Sequence, residues 1–260
     1  MKVGVCVWVF FFAAGFCFAA AQGDSGAVEL FEMGNGYYEK GEYDRAAEAY
    51  EGIIARGDES GRVYYNLANA YFKSGRLGKA VINYERARYL MPRDGDLAAN
   101  LAFARERVIG KVAHQRSLWE WFPLRVYRGS FTANEFMLLS SAGYIGLIIF
   151  LIAGLRLRVL ARYRTYGIIL AAAFILFNSA VAFHKAAETR NAAVVTVPQA
   201  AAMFGPFDSA TKYFTLHEGM DVVVLKMKDD WYKVKRADGK IGWIKSGDVE
   251  RVWGTSDLQR

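Results

Sequence analysis

Cysteine is nearly absent from this sequence. Of 260 residues only Cys6 and Cys17 are cysteines, and both lie in an apolar N-terminal run. The rest of the chain therefore has no disulfide framework, no thiol nucleophile and no thiolate metal site. Histidine is scarce too. His114, His184 and His217 have no partners at metal-ligand spacing, and there is no His-Glu-x-x-His motif. A glycine-rich phosphate loop and a Gly-x-Ser-x-Gly elbow are also missing. Carboxylates are plentiful but fall on surface positions of helices. These absences point to a non-enzyme with no cofactor and no metal.

Charge is missing from three long stretches. The first is Val3 to Ala21, preceded by Lys2 and ending in Ala19-Ala20-Ala21 before Gln22. Residues 1–21 read as a secretory signal peptide, with an uncleaved anchor as the alternative. Either places residue 30 outside the cytoplasm. The second run is Phe136 to Leu155 and the third Thr165 to Phe183. Each is long enough for a helix to cross about 30 Å of hydrocarbon. Transmembrane helices are therefore expected at 135–155 and 165–183.

The segment between them, 156–164, carries Arg156, Arg158, Arg162 and Arg164. Short arginine-rich loops stay in the cytoplasm. These four residues determine a hairpin with its turn inside and both flanks outside. Before the first span, residues 117–130 contain Trp119, Trp121, Phe122 and Tyr127. Such residues favour the water–lipid boundary, so an interfacial segment is expected there; a packing face on the preceding helix is the alternative. Asn178, inside the second span, is expected to bond the neighbouring helix. Gly143, Gly146 and Ser140 offer the small-residue face for that packing. A linker is expected from His184 to about residue 191.

The chain's net charge of +7 and pI of about 9.3 suggest nucleic acid at first sight. Residues 22–118, however, hold 14 acidic and 14 basic side chains, and residues 186–260 hold 10 and 11. The excess flanks the apolar spans, so it reports topology, and nucleic-acid binding loses its support. Within the first domain, residues 22–59 are acidic and 60–118 basic. A solvated face is the plain reading of that asymmetry; steering of a charge-split partner is the other.

What is present is a repeat. Tyr37, Gly41, Ala46 and Tyr50 recur 34 residues later as Tyr71, Gly75, Ala80 and Tyr84. With Tyr64, Leu67, Ala68, Ala87 and Pro92, they follow the tetratricopeptide repeat (TPR) pattern of paired helices. A TPR domain is expected at 27–112, with repeats at 27–60 and 61–94. Asn100, Leu101 and Ala102 repeat Asn66, Leu67 and Ala68, but Ile109 stands where a glycine would begin a turn. Residues 95–112 therefore read as a capping helix. The resemblance implies a concave groove lined by the first helix of each pair. There Asn35, Asn66, Asn69 and Asn100 are candidates to bond a peptide backbone, because an amide both donates and accepts. Helix packing is their alternative role. The family's basic clamp for a peptide carboxylate is not evident, since Asp96 and Ala99 face the groove.

Residues 191–253 read as an SH3-like domain. Runs rich in β-branched and aromatic residues predict strands at 193–197, 211–217, 221–228, 231–236 and 240–245, with Asp238-Gly239 as a hairpin turn. The run from Trp231 to Ile244, with its Gly242-Trp243-Ile244, resembles bacterial SH3-like domains, which bind peptides or cell-wall glycans. Trp231 and Trp243 are the ligand candidates, at least one of them expected in the core.

The expected fold class is a multidomain membrane protein: an all-α TPR solenoid, a two-helix transmembrane hairpin and a small all-β SH3-like barrel. The order of these parts resembles the repeat protein of the Bacteroides aerotolerance (Bat) operons. That resemblance implies partners with von Willebrand A-type domains, a nearby MoxR-type ATPase and a role in envelope stress. It places the protein in the bacterial inner membrane, with both folded domains on the extracytoplasmic side. Two functions follow. One is a scaffold that binds protein partners through its repeats. The other is a cell-wall sensor that binds peptidoglycan through the SH3-like domain. A glycan-acting enzyme is a third, for which no acid or nucleophile can be named.

Overall fold

The computed structural model describes residues 25–110, 127, 129, 131–156 and 162–253. The expected signal peptide, nearly all of the 117–130 segment, Arg158 and the C-terminal seven residues lie outside them. Helices α1 (Ser25–Glu39), α2 (Tyr43–Ala55), α3 (Gly61–Lys73), α4 (Leu77–Leu90) and α5 (Gly95–Glu106) form the N-terminal domain. The turns within the two pairs need Gly41 and Gly75, whose φ angles of 78° and 81° lie in the left-handed region. Ser60 and Asp94 cap α3 and α5 by accepting from the backbone N–H groups of Val63 and Leu97. Ala46 and Ala80 are fully buried, which lets the paired helices approach.

Helices α6 (Ala133–Arg156) and α7 (Arg164–Asn191) are long and apolar enough to cross a membrane. They pack as an antiparallel pair. A Cβ on Gly143 would lie 2.8 Å from the Phe174 ring, and one on Gly167 would lie 2.2 Å from Phe150. Ser140 and Ser179 face each other at 3.5 Å. Asn178 is fully buried, but its expected partner is corrected. Its Oδ1 accepts from the Tyr127 hydroxyl at 2.7 Å, and its Nδ2 donates to the Phe174 carbonyl within α7. The aromatic segment before α6, not α6 itself, satisfies it.

The expected linker after His184 is also corrected. Helix α7 continues to Asn191 and passes directly into strand β1 (Ala192–Val195). Strands β2 (Gln199–Met203), β3 (Lys212–His217), β4 (Asp221–Lys228), β5 (Trp231–Arg236), β6 (Ile241–Lys245) and β7 (Val249–Arg251) complete an antiparallel sheet, in the order β3-β2-β6-β5-β4-β1-β7. Its register and bulges are consistent with an SH3-like barrel. Strands β2 and β7 were not legible. Gln199-Ala-Ala-Ala-Met203 has helical composition, but pairing to β3 and β6 overrides that preference.

The barrel docks on the repeat domain through α4. This helix is buried on nearly every side: Gly78, Ala80, Val81, Ile82, Asn83, Tyr84, Glu85 and Ala87 are all buried. One side faces α3 and the other faces β1, with β7 reached through the side chains of Lys79 and Arg86. The Gly78 N–H donates to Glu218 at 2.8 Å. Arg86 donates to the carbonyls of Arg251 and Val252 at 3.0 and 2.9 Å, and pairs with Glu250 at 2.9 Å. Lys79 reaches Glu250 at 2.6 Å, and Arg105 reaches Asp221 at 2.9 Å. Trp253 meets the edges of Tyr64 and Tyr89. Lys79, Arg86 and Arg105 of the basic stretch 60–118 thus pair with carboxylates of the barrel. At the other end of α4, Arg93 forms an ion pair with Glu135 and lies over the Phe131 ring, which ties the repeat domain to the start of α6.

Two outcomes test this docking. A Cβ at Gly78 would lie 2.5 Å from the Val195 carbonyl oxygen and 2.8 Å from Thr196 Cα, both backbone atoms that cannot swing away. Gly78→Ala is expected to cost about 1–3 kcal/mol and to raise hydrogen exchange at β1 and β7. Gly36→Ala, in open space within α1, should instead add up to about 1 kcal/mol of helix stability. Equal exchange in both variants would contradict the docking. The second outcome concerns pH. Burial pushes the Glu250 carboxyl up, but Arg86 and Lys79 outweigh it and hold the group below its usual 4.5. Its stabilisation is therefore complete above about pH 4.5 and is lost as pH falls through the lower folded value. Wild type should protect β7 more than Glu250→Gln does at neutral pH, and the difference should close in acid.

Candidate functional site

The four candidate asparagines lie on α1, α3 and α5, and the structure joins them into two identical units. Asn35 Oδ1 accepts from the Tyr50 hydroxyl at 2.8 Å and from Asn66 Nδ2 at 3.3 Å. Thirty-four residues on, Asn69 Oδ1 accepts from the Tyr84 hydroxyl at 2.6 Å and from Asn100 Nδ2 at 3.2 Å. Asn100 Nδ2 also donates to the Tyr65 hydroxyl at 2.8 Å. Burial pushes the Tyr50 phenol up to about 12 and Tyr84 further in the same direction, so both hydroxyls remain donors.

These bonds fix the amide orientations. Within each unit they leave one Nδ2 donor, on Asn35 or Asn69, and one Oδ1 acceptor, on Asn66 or Asn100. All four residues are half-buried. A donor beside an acceptor is the complement of a peptide bond, and here it is presented twice at the repeat spacing. The asparagines therefore hold the helices together and keep hydrogen-bonding capacity in reserve. The series stops at α5, where Phe103 occupies the position equivalent to Asn35 and Asn69. Phe103 is half exposed and packs beside Phe72, with the Arg107 guanidinium 4.2 and 4.7 Å from the two rings. Tyr50 and Tyr84 were legible as repeat residues; their role as holders of the asparagines was not.

In the barrel the two candidate tryptophans part company. Trp231 is 8% exposed and belongs to the core. Its ring lies beneath the Lys245 ammonium, 5.8 Å from the ring centre. Trp243 is half-buried on the outer face, with the Lys233 ammonium 5.9 Å from its ring. The exposed aromatics lie elsewhere. Phe204, just past β2, and Tyr213, on β3, have ring centroids 4.4 Å apart, and both are exposed together with Phe207. Phe204 and Phe207 flank Gly205-Pro206, a turn signal that carries no hint of a platform in one dimension. Of the topology arginines, Arg156 ends α6, Arg164 begins α7 and Arg162 is exposed, while Arg158 lies outside the described residues.

With this geometry in view, the comparisons agree with two of the three parts. A tetratricopeptide repeat family model matches residues 31–96. A bacterial SH3 domain model matches residues 205–250. No curated protein matches the chain. The protein thus carries a TPR unit of the kind that mediates protein–protein interaction. It also carries a bacterial SH3-type domain, and both are typically binding modules without catalysis.

Tyr84→Phe tests the asparagine unit. It removes one donor to Asn69 and keeps the ring, so it should cost about 0.5–1.5 kcal/mol and speed exchange in α3 and α5. An unchanged exchange profile would show that the hydroxyl does not hold Asn69.

Proposed function

We propose that this protein is a non-enzymatic, membrane-anchored adaptor that captures an extended peptide of a partner protein in its TPR groove. The carrying observation is the doubled donor–acceptor pair of Asn35 with Asn66 and of Asn69 with Asn100. An extended backbone satisfies such pairs whatever its side chains, as in strand addition at a sheet edge. The neighbouring aromatics Tyr65, Phe72 and Phe103 supply apolar contact.

Anchoring through α6 and α7 is supported by their length and by the contact between the two folded domains. A chain that crosses a membrane twice returns to the side it left. The repeat domain before the hairpin touches the barrel after it, so both must lie on one side. The arginines of the turn favour a side outside the cytoplasm, in keeping with an SH3-type domain, which is typical of extracytoplasmic proteins. The order of the domains, and its resemblance to the Bat family, favours an envelope-stress complex in the bacterial inner membrane. Its partners there would be membrane proteins with von Willebrand A-type domains.

A second reading, cell-wall sensing, draws on the exposed Phe204, Phe207 and Tyr213. Aromatic faces stack on sugar rings, and bacterial SH3 domains suggest peptidoglycan as the ligand. One experiment separates the two readings. The full chain is crosslinked in native membranes and its partners identified; separately, the detergent-solubilised chain is sedimented with purified cell wall. Asn66→Ala with Asn69→Ala should abolish partner crosslinking and leave sedimentation unchanged, whereas Phe204→Ala with Tyr213→Ala should do the reverse if the sensor reading holds. Undiminished partner capture by the asparagine double variant would sink the groove.

A further inference from the structure

The barrel presents an apolar and basic strip on the side from which α7 enters. Strand β1 begins at Ala192, opposite Val223 of β4. Beyond Val223, β4 has no β1 partner, because the chain before Ala192 is helix α7. The rest of β4, through Lys228, therefore runs on past the start of β1 toward α7, and α7 and β4 are in contact. At about 3.3 Å per residue these five residues reach about 16 Å. The apolar stretch of α7 ends at Ala187. Four residues of helix then lift β1 only about 6 Å above it. The headgroup layer is itself about 5–7 Å thick. The β4–β5 hairpin is long enough to return to that layer.

Its surface suits the location. Val223, Leu225 and Met227 of β4 and Ile241 of β6 are all 42–59% exposed. Lys235 pairs with both Val223 and Ile241 across the sheet, and past the bulge at Leu225 Lys226 pairs with Lys233 and Met227 with Tyr232, so aliphatic groups and amines occupy both faces of the hairpin's end. Among the described residues, the ion pairs of the domain lie elsewhere: Arg236 with Asp238, Lys245 with Asp208, Asp221 with Arg105, and Glu250 with Lys79 and Arg86. Asp229 and Asp230 form the turn itself. Against them stand Lys226, Lys228, Lys233 and Lys235, so the hairpin keeps a net positive charge. Aliphatic side chains interleaved with long amines are the chemistry of an interface-seeking surface. The alkyl stems and aliphatic groups enter among the headgroups, and the ammonium groups meet phosphate.

We propose that this strip, centred on Leu225, Lys226, Met227 and Lys228, rests on the anionic phospholipid headgroups of the leaflet that α7 leaves. The inference depends on the anchoring of α6 and α7 proposed above. It makes the barrel a lipid-seated platform, with the Phe204–Tyr213 pair and the TPR groove held at a set height above the bilayer.

Depth-dependent quenching tests it on the full chain. Cys6 and Cys17 are replaced by Ser, and single cysteines are placed by Leu225→Cys, Met227→Cys, Asp58→Cys or Ile148→Cys. Each carries an environment-sensitive fluorophore. The protein is reconstituted in vesicles of phosphatidylcholine and phosphatidylglycerol with nitroxides on headgroups or on acyl chains. Headgroup nitroxides should quench the probes at 225 and 227 several-fold more than the probe at 58. Charge reversal by Lys226→Glu with Lys228→Glu, or high salt, should remove most of that difference. Quenching at 225 equal to that at 58, with the probe open to aqueous iodide, overturns the proposal. Protection at 225 from both lipid nitroxide and iodide also overturns it, since a protein then covers the strip. The probe at 148 should respond to acyl-chain nitroxides. If it does not, the anchoring itself fails; if it does while 225 does not, only the lipid seat fails.

Discussion

Helix α4 is packed twice, and the rest of the molecule is arranged around that fact. One face closes the second repeat against α3, as any TPR helix does. The opposite face, normally wet, carries Ile82 and Gly78 and is covered by β1. Burying a helix on both faces removes water from its polar side chains, so those that remain must be paired. Arg86 meets that demand by capping two backbone carbonyls of the barrel's last strand and neutralising Glu250. The approach is close enough that only a glycine fits at residue 78. The barrel is fused to α7 without a linker, and Arg93 ties the repeat domain to the start of α6.

That coupling bears on how the groove would work. The asparagines of the groove are held by Tyr50 and Tyr84, and Tyr84 belongs to the same helix that seats the barrel. On the proposed function, a peptide that reorders the amides at Asn69 and Asn100 would act on α4 directly. Tyr84 thus links the asparagine pair of the second unit to the helix on which the barrel docks.

Much of this was legible along the chain. The 34-residue offset located both repeats, because helix packing within a TPR is local and repeats its small and aromatic residues in register. The two apolar runs located α6 and α7, since a membrane-length helix is recognised by composition alone. Other features were hidden because their cause is distant. Gln199-Ala-Ala-Ala-Met203 becomes a strand only through β3 and β6. Asn178 is satisfied by Tyr127, 51 residues earlier, and not by the helix beside it. Trp231 and Trp243 look alike in a strand pattern, yet one is core and the other half-open. One signal was present and unread: Asp44 and Glu48 of the first repeat are replaced by Gly78 and Ile82 in the second, which turns a wet face into a docking face.

The sequence by itself determined the parts: two helical repeats and a cap, two apolar helices with an arginine-rich turn, and a β-rich tail with an SH3-like motif. Each depends on periodicity, apolar length or turn chemistry within some tens of residues. The tertiary structure alone decided how the parts meet. Lys79, Arg86 and Arg105 meet the barrel's Glu250 and Asp221, the asparagines bond one another across repeats, and the supposed linker is helix. These outcomes rest on which groups are desolvated together, a property of pairs far apart in the chain.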